Sequence, residues 1–160
     1  MPTKLPISSG KSAVLAEMGV RVFTIEIDKA VGNAANRILS SLGYKVDNTI
    51  RNAARREEAR RSYFRMRRLF PHRGRVELFI GNGAGGLPDH APYDAIIVAA
   101  AVRRLEDIGG LRRQLRSGGR FIYLHGDRNS QLLYIVERHD DLFRTAALEG
   151  VSFSFLPLIG

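Results

Sequence analysis

The sequence predicts an α/β fold, a doubly wound, mostly parallel sheet that ends in an antiparallel C-terminal edge. Three observations predict it. Short apolar runs of strand length alternate with segments whose apolar residues recur at helical spacing. A glycine-rich turn, GNGAGG at 81–86, directly follows the β-branched and aromatic run VELFI at 76–80, so it stands at a strand's carboxyl end, where open α/β sheets bind their ligands. The last apolar runs, 131–137 and 151–155, lack a full-length helical spacer, which makes an antiparallel edge pair.

Taken in order, residues 4–8 are interrupted by proline and make a poor central strand. Ser9 is expected to cap a helix running to about Met18, with Gly19 as its left-handed stop. VRVFTIEI at 20–27 reads as a buried strand, and Asp28 as the N-cap of the next helix. In that helix Val31, Ala34, Ala35, Ile38, Leu39 and Leu42 share a face, and Gly43 ends it. A helical insertion at about 45–74 then interrupts the alternation. Ala59, Tyr63, Met66 and Phe70 form its apolar stripe, Glu57 can pair with Arg61 one turn on, and Pro71 stops it. The strand at 76–80, the glycine turn, a strand at 93–99, a helix near 105–115, a turn at Gly118 and Gly119, and a strand at 120–124 complete the alternating part.

With 160 residues and 44% hydrophobic content, a single domain spanning 1–160 is expected. The chain has no cysteine, which excludes disulfides and thiolate metal sites and accords with a reducing compartment. Its longest apolar run, 95–102, is far short of the roughly 20 residues a spanning helix needs, and the N-terminus has no hydrophobic signal core. A cytoplasmic protein with no membrane contact is the expectation. The net charge of +9 is concentrated: the segment from Arg51 to Arg75 holds ten arginines against Glu57 and Glu58, so the remainder is nearly neutral. With Tyr63, Phe64 and Phe70 interleaved, that segment could contact phosphates and stack on bases, or be a solvated helix.

GNGAGGLPDHAPYDAIIVAAA at 81–101 resembles the segment after the third strand of the protein-L-isoaspartate (D-aspartate) O-methyltransferases. Three further pieces agree in order: AVLAEMGVRVFTIEI at 13–27 with that family's first core helix and second strand, QLRSGGRFIYLHGDRNSQLLYIVER at 114–138 with its fifth strand and following hairpin, and VSFSFLPLIG at 151–160 with its terminal strand. The resemblance implies the Rossmann-like fold of S-adenosylmethionine-dependent methyltransferases, S-adenosylmethionine as cofactor, and isoaspartyl-containing proteins or peptides as substrate. It implies a cofactor site drawn from Ser9, Gly10, Glu26, Ile27, Asn82, Gly83 and Ala99. Glu26, at the end of its strand, stands where such folds accept hydrogen bonds from ribose hydroxyls, although a solvated carboxylate would occupy the same place. Asn82 replaces the aspartate of the family's GDG that faces the adenine, keeping a carbonyl acceptor without the charge.

The chain departs from the family at its start. MPTKLPISSGKS stands where the family has an apolar first strand and a glycine-rich loop of the form E-x-G-x-G-x-G, and of those glycines only Gly10 is present. The family's upstream substrate-contacting region is expected to be missing as well, so reduced activity is anticipated. A degenerate, non-catalytic fold that binds nucleic acid or another acidic partner through its basic segment is the alternative. SSGKS does not complete a phosphate-binding loop, because the required first glycine would fall at Leu5. His72, His90, His125 and His139 lack metal-ligand spacing, so no metal is expected. His125 and Asp127 follow a strand on the ligand edge, where a surface turn explains them equally well, and no catalytic residue can be assigned from spacing.

Overall fold

The computed structural model describes residues 7–44, 76–127 and 130–148. The chain divides into two compact units, Met1–Gly81 and Asn82–Gly160. The basic insertion and residues 151–160 lie outside the described residues.

In the first unit, α1 (Ile7–Glu17) leads to β1 (Val22–Glu26), α2 (Lys29–Ser41) and β2 (Val76–Ile80). β1 and β2 pair in parallel from Val22 opposite Val76 to Glu26 opposite Ile80. Both helices end in the same device. Gly19 donates to the Ala16 carbonyl and Val20 to that of Leu15, while Gly43 donates to Ser40 and Tyr44 to Leu39. The two glycines have φ of 81° and 82°, the left-handed conformation that lets the chain double back over a helix's last carbonyls. The second turn-back packs Tyr44 against Leu39, and both join Ala16, Val22 and Val76 in the core. α2 buries Gly32, Ala35 and Leu39, a narrower stripe than the sequence face, and Leu42 caps the helix with its side chain half in solvent. Asp28 caps the other end as expected, its carboxylate accepting from the Ala30 and Val31 amides. The capping role expected of Ser9 is corrected: α1 starts at Ile7, so Ser9 and Gly10 lie inside its first turn. Two serines precede Gly10, and cap-forming residues in tandem fix a helix start only to within a residue or two.

β1 carries a second fastening. Arg21 donates through Nε and Nη2 to one oxygen of Glu77, at 3.1 and 2.8 Å, and lays its guanidinium 4.7 Å over Phe23. Glu77 is buried, and burying a carboxylate is tolerable only where a cation and hydrogen bonds meet it.

The second unit is a four-stranded sheet in sequence order, β3 (Tyr93–Val102), β4 (Leu115–Gly126), β5 (Gln131–His139) and β6 (Leu142–Leu148). β3 and β4 are parallel, and β4–β5 and β5–β6 antiparallel, which gives the antiparallel edge. Phe121, Tyr123 and Val136 of the sheet pack with Val102, Leu115, Ile108 and Leu111 in one core. Two expectations are corrected here. The helix near 105–115 is a 3-10 turn, Leu105–Ile108, followed by a short α3, Gly109–Arg113, because two glycines at 109–110 give poor helical continuity. Gly118 and Gly119 form no strand-ending turn but an irregular stretch within β4, where pairing shifts from Tyr93–Leu115 to Ala95–Arg120. β5 pairs antiparallel with 142–148, joined to it through Asp140 at φ 56°, and the run at 151–155 expected to form the edge pair lies outside the described residues. LFRTAAL alternates too weakly to announce a strand.

Candidate functional site

Parallel pairing brings Glu26 to the carboxyl end of β1, where its main-chain oxygen accepts from the Gly81 amide at 2.9 Å. Its side chain turns back to accept from the Asp28 amide at 3.1 Å, and so leans toward the start of α2. Gly32 lets that helix pack closely, since a Cβ there would stand 2.9 Å from Ile80 Cγ1 and 3.6 Å from Glu26 Cγ. A partly buried carboxylate held at a strand end, beside a helix N-terminus, has the acceptor chemistry that suits a ribose diol. Ile27, the next residue, is half exposed and can supply apolar cover.

In the second unit the glycine-rich loop has a defined conformation. Asn82 accepts the Ala84 amide at 2.9 Å through Oδ1, and Gly86 donates to the Gly83 carbonyl at 3.0 Å, so two turns overlap within five residues. The Asn82 carbonyl expected to face adenine thus already holds its own loop, and the side chain is exposed. The loop then runs through a 3-10 turn, Pro88–His90, into β3, and Tyr93 returns its hydroxyl to the Leu87 carbonyl at 2.8 Å. Gln114 lies beneath: its side-chain oxygen accepts from Leu87 N–H at 3.1 Å and its nitrogen donates to the carbonyls of Gly85 at 2.8 Å and Gly110 at 3.3 Å.

Ala99 is exposed on β3 within the stretch where pairing with β4 slips, from Ile97 opposite Ile122 to Ala101 opposite Leu124. Such bulges re-aim the backbone and recur next to active sites. His125 is tied down by Nδ1 to the Val102 carbonyl at 3.0 Å and meets Tyr134 edge-on. Asp127 is a turn residue, accepting from the Ser130 amide and bonded through its own carbonyl to Gln131. Ser9 and Gly10 lie in the first turn of α1. Among the described residues no group of three or more His, Asp or Glu side chains could hold a metal ion, and no helix is long and apolar enough to cross a membrane.

The buried role of Gln114 had no signal in the sequence, because its partners are 27 and 29 residues away and an isolated glutamine carries no pattern. Asn82, Gly83 and Ala99 fall in the second unit, and Ser9, Gly10, Glu26 and Ile27 in the first.

A protein-family model described as Protein-L-isoaspartate(D-aspartate) O-methyltransferase matches residues 8–160. The protein-L-isoaspartate O-methyltransferase of Roseiflexus castenholzii is 35% identical over 149 residues, covering 93% of this chain and 53% of the relative. That of Staphylothermus marinus is 30% identical over 170 residues, covering 98% of this chain and 74% of the relative. The chain spans about half the length of curated relatives it matches. A solved structure named protein-L-isoaspartate O-methyltransferase is similar in fold, with a TM-score of 0.51 at 20% identity, covering 95% of this chain and 46% of that one.

Proposed function

The chain belongs to the protein-L-isoaspartate(D-aspartate) O-methyltransferase family, and on that premise we propose that it binds S-adenosylmethionine and methylates the free carboxylate of isoaspartyl residues in damaged proteins, with reduced turnover. The observation that carries the reading is Glu26, a carboxylate fixed at the end of β1 by the Asp28 amide. Glu26 would hold the ribose hydroxyls, and Asn82 and Gly83 would hold the adenine. Ile27 and Ala99 would supply apolar cover. Ser9 and Gly10 lie where the first amides of α1 lack intrahelical partners and favour a carboxylate. Bound there, S-adenosylmethionine would supply an activated sulfonium methyl group. A substrate carboxylate is ionised at neutral pH, so this chain's residues need no acid or base. Their task is to align the two reactants and exclude water.

Reduced turnover follows from MPTKLPISSGKS, whose single glycine replaces the family's glycine-rich loop. Loss of alignment removes many powers of ten in rate. Calorimetry with S-adenosylhomocysteine tests the site: saturable binding by the parent, weakened about tenfold or more in Glu26→Ala, is expected. Unchanged affinity in both Glu26→Ala and Asn82→Ala would sink the assignment. Methyl transfer to an isoaspartyl peptide should run below about 1 per second, the low end of ordinary turnover.

A further inference from the structure

We infer that Gln114 is a positioning residue for nucleoside binding, the side chain that fixes the conformation of the loop carrying Asn82 and Gly83. The inference rests on the functional reading above. Gln114 sits just past α3, is 8% exposed, and spends its amide on three main-chain groups: Leu87 N–H, Gly85 C=O and Gly110 C=O. One of these belongs to the glycine loop, one to the residue that directly follows it and the third to the helix, so one side chain ties the loop to the scaffold. A glycine-rich segment has large conformational freedom to lose on ordering, and any part not frozen beforehand is lost from ligand affinity. The loop has no apolar anchor of its own at 82–86, so a buried amide does this work.

Two neighbours support the same role. Tyr93 donates its hydroxyl to Leu87 C=O, and its amide donates to the Gln114 main-chain oxygen at 2.8 Å, so the loop's exit is tied to the same residue. The approach is close: a Cβ on Gly86 would lie 2.6 Å from Gln114 Oε1 and 2.7 Å from Leu111 Cδ2. Gln114 therefore packs on backbone that has no side chain, and its donor and acceptor are matched to that backbone in order. Leucine or methionine could fill the space but could not read the polarity.

The experiment compares the parent chain with Gln114→Met, which keeps length and volume while removing all three bonds, and with Val136→Ala, which opens a cavity in the same core away from the loop. S-adenosylhomocysteine affinity is measured by calorimetry and exchange of the Leu87 amide by NMR, well below the unfolding temperature of each variant. Gln114→Met should weaken binding about tenfold and speed Leu87 exchange, while Val136→Ala should lower the unfolding temperature and leave affinity within about twofold. Equal affinity in parent and Gln114→Met would overturn the inference, and so would equal weakening in Val136→Ala, the mark of a merely structural role. A parent that fails to bind would overturn the functional reading instead. Unchanged Leu87 exchange in Gln114→Met would then overturn the hold on the loop independently.

Discussion

The Tyr123 phenol lies in the core of the second unit, 5.1 Å from the Phe121 ring and 5.4 Å from that of Tyr134. Burial raises its pKa above the ordinary 10.0, and the nearby Arg112 guanidinium opposes that shift. The fold thus favours the neutral phenol. Its contribution is complete below about pH 10, where the unfolded chain is also protonated, and declines as pH rises from there toward the folded value. Tyr123→Phe should leave stability near pH 7 within about 1 kcal/mol and lessen the alkaline loss. Urea midpoints between pH 8 and 11 measure this, and identical curves for parent and variant would refute it. Glu137 acts in the opposite direction. The Arg120 hydrogen bond holds its carboxyl below the usual value, so its stabilising share is present above that usual value and is lost as pH falls through the depressed one. As the pair is exposed, that share is small.

At the scale of elements, the irregular stretch of β4 makes a sharp prediction. A Cβ on Gly119 would lie 2.9 Å from the Arg116 carbonyl oxygen and 3.1 and 3.2 Å from those of Tyr93 and Asp94. These are backbone atoms and cannot swing aside, so Gly119→Ala should destabilise by about 1–3 kcal/mol, measured by denaturant unfolding. Full parental stability would show that β3 and β4 can separate there without loss. The same stretch marks where sequence reading stopped. Paired glycines announce a break in regular structure but do not distinguish a turn from a bulge, since both need backbone free of side chains. Elements whose signals are local were legible: α2 with its Asp28 cap and Gly43 stop, and β1, whose apolar run ends at Glu26. The glycine loop was legible as a strand-end turn, while its support by Gln114 was not, because that depends on a long-range approach of backbone to amide. The β5–β6 hairpin was half legible: β5 shows as an apolar run, and β6 owes its place to pairing with β5 more than to any pattern of its own.

For the whole molecule, the excess charge is concentrated between Arg51 and Arg75, and whether that segment contacts nucleic acid or is a solvated element is open to direct test. Joining Asp47 to Gly74 through a short glycine-serine linker should abolish any salt-dependent nucleic-acid affinity while leaving cooperative unfolding, measured by titration at two salt concentrations and by thermal melting. Loss of cooperativity would place Tyr63, Met66 and Phe70 in the core instead.

The pairing of β1 with β2 also sets a timetable for folding. Arg21 and Glu77 are 56 residues apart, so the parallel ladder cannot form until a long stretch of chain has closed on itself. His139 and Leu142, by contrast, face each other across a two-residue turn. Local hairpins form within microseconds, whereas distant parallel pairing must first bear the entropy of loop closure. Amides of β4, β5 and β6 should gain protection before those of β1 and β2 in pulsed hydrogen exchange, and simultaneous protection would contradict this. The shortened chain, with the closing loop cut roughly in half, should form the β1–β2 ladder about threefold faster.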